Sequence, residues 1–214
     1  MPAEQNIDST HLEAAWRNIT AWLAEYAPLS RASLLPPASE AEIEHADTLL
    51  RERLGFGLPA ELGQLWRLCG GVEHQDIGAD EQGEIFSGQF FPDGLLLAPA
   101  KALAPRLPGP GTEDLWGGAE VVPWLTGDDE DAPLQGSYIG ARGVGKWSFE
   151  DNPVGTPDYP SMAAYLENVY RTLTVGPANL MGSDVPGIVW GCLIWDRPEG
   201  SWLTDAAEHW SPVH

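Results

Sequence analysis

The chain has 214 residues, 43% of them hydrophobic and 9% aromatic, with 32 Asp and Glu against 11 Lys and Arg and a formal net charge of −21. That apolar content suffices for a packed core, and no stretch approaches the roughly 20 consecutive apolar residues of a membrane span. Such acidity disfavours nucleic acid and anionic membranes as direct partners, because neutralising phosphate takes clustered Lys and Arg; it favours a cationic protein, with an aid to solubility as the alternative that net charge alone does not separate.

Thr10 and Glu13 stand at capping-box spacing. Leu12, Trp16, Ile19, Leu23 and Tyr26 then follow at alternating steps of four and three, which predicts one buried helical face ended by Pro28. A Pro-containing linker leads to a second capping box, Ser39 and Glu42, with Ile43, Ala46, Leu50 and Leu54 on one face up to Gly55. Pro59 suits the first turn of a third, shorter helix carrying Leu62, Leu65, Trp66 and Cys69, ended by Gly70-Gly71.

From there to about residue 155 the texture changes to short apolar runs separated by Gly, Pro and acidic clusters. Strands are predicted at Leu95 to Ala98, Val121 to Leu125, Ser137 to Ile139 and Gly145 to Phe149, with a weaker one near Ile85-Phe86. No helical pattern intervenes, which argues for antiparallel meander pairing. Residues 150 to 160 read as a loop, and Ser161 caps a helix that turns Met162, Tyr165, Leu166, Val169 and Leu173 inward. The expected fold class is α+β, with amino-terminal helices and a carboxy-proximal helix packed on a twisted, mainly antiparallel sheet. Beyond Val175 a Gly- and Pro-rich tail holds Trp190, Trp195, Trp202 and Trp210, too apolar to be disordered. An extra strand and a terminal segment packed on the same domain are expected there, with an exposed aromatic surface as the alternative.

Residues 1 to 30 lack a basic start followed by an apolar run, so a cytoplasmic location is expected. Cys69 and Cys192 are too few for a disulfide framework and lack metal-ligand spacing, so buried thiols are expected. The charge is unevenly spread. No basic residue lies between Arg67 and Lys101, where Glu73, Asp76, Asp80, Glu81 and Glu84 accumulate. Between Arg106 and Arg142 stand Glu113, Asp114, Glu120, Asp128, Asp129, Glu130 and Asp131. Two uncompensated acidic loops, 72–84 and 113–131, are therefore expected to face a basic partner. Aromatic anchors near them are sought at Phe90, Phe91, Trp116, Trp124 and Trp147, each of which could equally be core, because binding energy concentrates in a few desolvated aromatic groups.

Catalytic constellations are weak. His45 has no second histidine at ligand spacing, and His74 with Asp76 could be a base and its orienter but no nucleophile motif accompanies them. The 128–131 run could hold a hard cation, yet it lacks the alternate spacing and central Gly of an EF-hand loop. Gly140, Gly143 and Gly145 lack the Lys-Ser/Thr ending of a phosphate loop and fit a hairpin turn better. No catalytic residue, cofactor or metal is expected.

One ordered series of signals resembles a known family. Trp16 through Trp22-Leu23, then Leu35-Pro36-Pro37-Ala38-Ser39-Glu40-Ala41-Glu42-Ile43, Leu54-Gly55, Leu58-Pro59-Ala60-Glu61-Leu62, Leu65-Trp66 and Gly70-Gly71 resemble the amino-terminal half of SUKH domains of the cell-wall-assembly-regulator type. Cys69-Gly70-Gly71 stands where that family closes in Asn-Gly. Val122-Pro123-Trp124-Leu125 with Gly127-Asp128, and Tyr159 to Leu173, are similar to its central strand and closing helix. The resemblance covers residues 10–175 and leaves 176–214 as a Trp-rich extension.

What the resemblance implies is a binding domain, used in bacteria largely as an immunity protein that neutralises a cognate toxin, often a nuclease. The preference for Arg over Lys, with abundant Ala, Gly and Pro, suits a bacterial chain of high genomic GC content. An acidic protein can occupy the basic surface of a nuclease as a nucleic-acid mimic, and long-range attraction speeds the encounter. An intracellular scaffold or regulatory module is the alternative reading, and a metal-dependent enzyme a third.

Overall fold

A computed structural model describes residues 3–73, 75–79, 83–107, 116–127, 133–150, 154–197 and 203–213. The chain opens with helices α1 (Ala3–Tyr26), α2 (Pro28–Ala32), α3 (Glu40–Leu54) and α4 (Ala60–Leu68). Leu12, Trp16, Ile19 and Leu23 are buried as one face of α1 should be, but Tyr26 is half exposed and lies against Trp22, with ring centroids 5.1 Å apart. The helix has already begun at Ala3, so Thr10 and Glu13 lie inside it and not at its start. Pro28 ends α1 and also starts α2, since its missing N–H goes unused in a first turn. At α3 the Ser39 hydroxyl accepts the Glu42 N–H (3.3 Å) while the Glu42 carboxylate accepts the Ser39 N–H (2.8 Å). This reciprocal cap fixes where α3 begins. Gly55 closes it at φ 81°, a left-handed conformation that glycine adopts without steric cost.

Strands β1 (Asp76–Ala79) and β2 (Gly83–Phe86) form a hairpin of their own. β3 (Leu95–Leu96), a short helix α5 (Pro99–Leu103), β4 (Val121–Thr126), β5 (Gln135–Gly140), β6 (Gly143–Ser148) and β7 (Pro157–Tyr159) follow. β3 to β7 pair antiparallel in chain order as one meander. Gly140 pairs with Gly143 across a tight turn, the hairpin that the glycine spacing predicts. β7 falls where the sequence reads only as loop; Pro157 sits on an edge strand, where a missing N–H leaves no ladder bond unmade inside the sheet. Helix α6 (Met162–Thr174) starts at Ser161, whose hydroxyl accepts the Ala164 N–H at 3.1 Å, and packs against α1.

The tail contains more structure than one strand. β8 (Val185–Val189) and β9 (Cys192–Asp196) form a hairpin, a 3-10 turn spans Thr204–His209, and β10 (Ser211–Pro212) adds to β8. Among the described residues the fold is therefore α+β, with six α-helices and three antiparallel sheets.

One main core joins the inner faces of α1, α3, α4 and α6 to Val122, Trp124, Leu125, Ile139 and Val144 of the large sheet, and Leu193 and Trp195 of β9 enter it too. Trp124 lies at a register shift between Pro123 and Leu125, a bulge that turns both Trp124 and Leu125 toward the helices. The opposite face of the sheet is covered by a small cluster of Trp116, Val121, Tyr138 and Trp147. A third cluster joins Ile85 of β2 to Val189, Cys192, Ile194, Leu203 and Ala206, so the acidic hairpin rests on the tail.

Candidate functional site

The acidic residues singled out in the sequence fall into two groups. Glu73 and Asp76 are exposed beside or on β1, and Glu84 lies in β2. Asp80, Glu81, Asp128, Asp129, Glu130 and Asp131 lie outside the described residues, as does His74. Gly127 and Gln135 bracket the 128–131 run, and the Gly127 N–H donates to the Gln135 carbonyl at 3.2 Å.

The proposed aromatic anchors require correction. Trp116 and Trp147 are 2% exposed and Trp124 is fully buried, so none is a surface anchor. Trp116 packs on Trp147 (centroids 5.0 Å) and its indole N–H donates to the Pro105 carbonyl. The buried Arg106 guanidinium lies 4.9 Å above the Trp116 ring. Trp124 meets Phe91 and Tyr165 edge-on at 5.8 and 5.2 Å. Phe90 and Phe91 are buried as well. The groups that cover these rings come from elsewhere in the chain, Arg106 and Trp147 over Trp116, and Phe91 and Tyr165 over Trp124.

A cleft of about 750 Å³ opens between the large sheet and the C-terminal hairpin. Phe86 at the end of β2 and both Gly127 and Gln135 line it, so residues adjoining the two acidic segments meet at one opening. In its wall lies Asp93, whose carboxylate receives three donors. Ser137 Oγ of β5 reaches Oδ2 at 2.8 Å, Tyr165 Oη of α6 reaches the same oxygen at 3.2 Å, and Lys146 Nζ of β6 reaches Oδ1 at 2.9 Å. The Asp93 side chain is 11% exposed and that of Lys146 65%. Across the cleft Arg197 Nε meets Asp184 Oδ1 at 2.9 Å.

The electrostatics hold Lys146 and Tyr165 each in one protonation state. Burial pulls the Lys146 ammonium down, but the Asp93 carboxylate outweighs it and the net shift is upward. Burial, with the Asp93 charge beside it, drives the Tyr165 phenol well above its ordinary value. Lys146 therefore stays charged and Tyr165 stays a donor through the neutral range. A general base or a nucleophilic amine needs the opposite tuning, a pKa brought toward neutrality.

Sequence reasoning missed this cluster, although half of it was within reach. Counting back from the Gly140–Gly143 turn puts Ser137 directly opposite Lys146. Tyr165 reads in the sequence only as an inward residue of α6, and Asp93, in a turn before β3, carries no local signal. His45 is exposed on α3, and no group of three or more His, Cys, Asp or Glu able to hold a metal occurs among the described residues. Both cysteines are buried and free. No helix among the described residues is long and apolar enough to cross a membrane. No family model matches the chain, and no curated protein is significantly similar to it in sequence.

Proposed function

We propose that the chain is a non-catalytic, acidic protein-binding domain of the SUKH type that acts in the bacterial cytoplasm as an immunity protein. Its partner is a basic protein, and a toxin whose nucleic-acid-binding surface must be basic matches the charge best. One observation carries the reading: an excess of 32 acidic over 11 basic residues, with Glu73 and Asp76 exposed in a stretch free of basic residues from Arg67 to Lys101. Several cations are already committed to particular carboxylates. Arg51, Arg67, Lys146 and Arg197 are already held by Asp47, Glu40, Asp93 and Asp184. Supporting the non-catalytic role, Lys146 is held in its charged form beside Asp93 in the cleft described above.

The test is co-expression with a toxin domain encoded beside the gene, followed by binding kinetics of the purified pair. Replacing Asp128, Asp129 and Asp131 by Asn and Glu130 by Gln should slow association by about tenfold at low salt, with the difference shrinking at high salt. Failure to protect against, or to bind, any neighbouring toxin removes the immunity reading. Unchanged low-salt association removes that loop from the interface.

A further inference from the structure

We propose that Asp93 is the docking carboxylate for a basic side chain of the protein partner, which enters the cleft and takes the place of Lys146. The inference rests on the reading of a cationic partner and names the point at which that partner is gripped.

Asp93 has the properties of an anchor that is set before anything binds. Ser137 and Tyr165 are both 1% exposed, and their hydroxyls orient the carboxylate from two different elements. Neither depends on Lys146. With its side chain 11% exposed, the carboxylate has already lost most of its water on folding, so an arriving cation need not strip it further. A carboxylate in that state is stabilised by a cation beside it, and at present a long, flexible side chain supplies one.

Lys146 is the replaceable member of the pair. Its side chain is 65% exposed and spans out of β6 over the cleft, whereas its partner is fixed. Releasing it restores its rotamer freedom and its hydration, which offsets part of the loss of the old contact. An incoming guanidinium presents a planar fork of donors to the Oδ1 edge that Lys146 occupies as a single point charge. The cleft admits more than one side chain: at about 750 Å³ and lined by the main chain of Gly94, Gly127, Gly136 and Gly155, it leaves room for a loop that carries the arginine. On the opposite wall Arg197 is 62% exposed and Asp184 34%, a second pair in which the cation is again the outer member.

The experiment measures fluorescence anisotropy of a labelled Gly-Arg-Gly-Arg-Gly peptide, and of its citrulline counterpart, on the full chain at low salt. The wild type should prefer the arginine peptide. Asp93→Asn keeps an acceptor for Ser137 and Tyr165 while removing the charge, and should weaken arginine binding about tenfold. Lys146→Met removes the internal competitor and should tighten binding about threefold or more. Arg142→Met makes the same change in net charge at the turn end of the β5–β6 hairpin, away from the cleft, and separates a local effect from the general field.

Tightening confined to Lys146→Met supports the exchange. Equal tightening in Arg142→Met, or none in Lys146→Met, overturns it, because a purely structural strut predicts no gain on losing its lysine. Equal binding to wild type and Asp93→Asn places the basic ligand elsewhere and overturns the cleft while the cationic-partner reading stands. A wild type that does not distinguish arginine from citrulline overturns both.

Discussion

The indole N–H of Trp195 donates to the main-chain carbonyl of Phe90 at 2.9 Å, joining the C-terminal hairpin to a turn 105 residues earlier. Phe90 is fully buried and Trp195 nearly so, and water therefore has little access to replace the bond. Trp195→Phe retains an aromatic ring but leaves a buried acceptor without its donor. Stability should fall by about 1–3 kcal/mol. Urea unfolding checks this: the midpoint should drop with the slope unchanged. An unmoved midpoint shows that the carbonyl finds another partner.

Helix α6 carries Tyr165 to Asp93, so whatever fixes its first turn also fixes the cleft. The Glu61 carboxylate of α4 accepts the N–H groups of Met162 and Ala163 at 3.1 and 3.2 Å, while Ser161 takes that of Ala164. Three donors that the helix cannot satisfy itself are thus met, two of them by another helix. Glu61→Ala should cost about 1–2 kcal/mol, and Glu61→Gln less, since an amide oxygen still accepts. Thermal melts of the two variants should rank in that order. The reverse order would show that the carboxylate is a liability at that position.

Burial raises the Cys69 thiol and pushes that of Cys192 up to about 11. Since the thiolate is the reactive form, both should resist alkylation in native protein at mildly alkaline pH and react fully once unfolded. Mass spectrometry after iodoacetamide treatment reads this directly. Native labelling of Cys192 would mean that the β8–β9 hairpin opens locally.

Surplus charge should also appear in stability. With a formal net charge of −21, self-repulsion among carboxylates opposes the compact state, and added salt screens it. Melting temperature should therefore rise with sodium chloride by several degrees before levelling off. Insensitivity to salt would mean that local ion pairs already absorb the repulsion.

Local signals proved readable where the chemistry that sets them is local. The reciprocal cap at Ser39 and Glu42, the Gly55 stop and the Gly140–Gly143 turn all act within a few residues, and each stands where the spacing places it. The strands around that turn could be read for the same reason. Thr10 and Glu13 misled because a cap motif carries no information on whether the helix has already started. Trp116, Trp124 and Trp147 could be read as anchors or as core, because a tryptophan is buried or exposed according to what the far chain brings, here the Trp116–Trp147 contact and the ring of Tyr165. Asp93 was illegible for the same reason: its three donors come from β5, β6 and α6.

Ile85 of the acidic hairpin is sealed against Val189, Cys192 and Ile194, and Ile77 packs on the same cluster. The tail is in this sense the pedestal of β1 and β2, and a chimaera that exchanges residues 176–214 also exchanges the footing of 76–86. Grafting the hairpin alone onto another scaffold strips it of its floor, so it travels only as a unit with the tail.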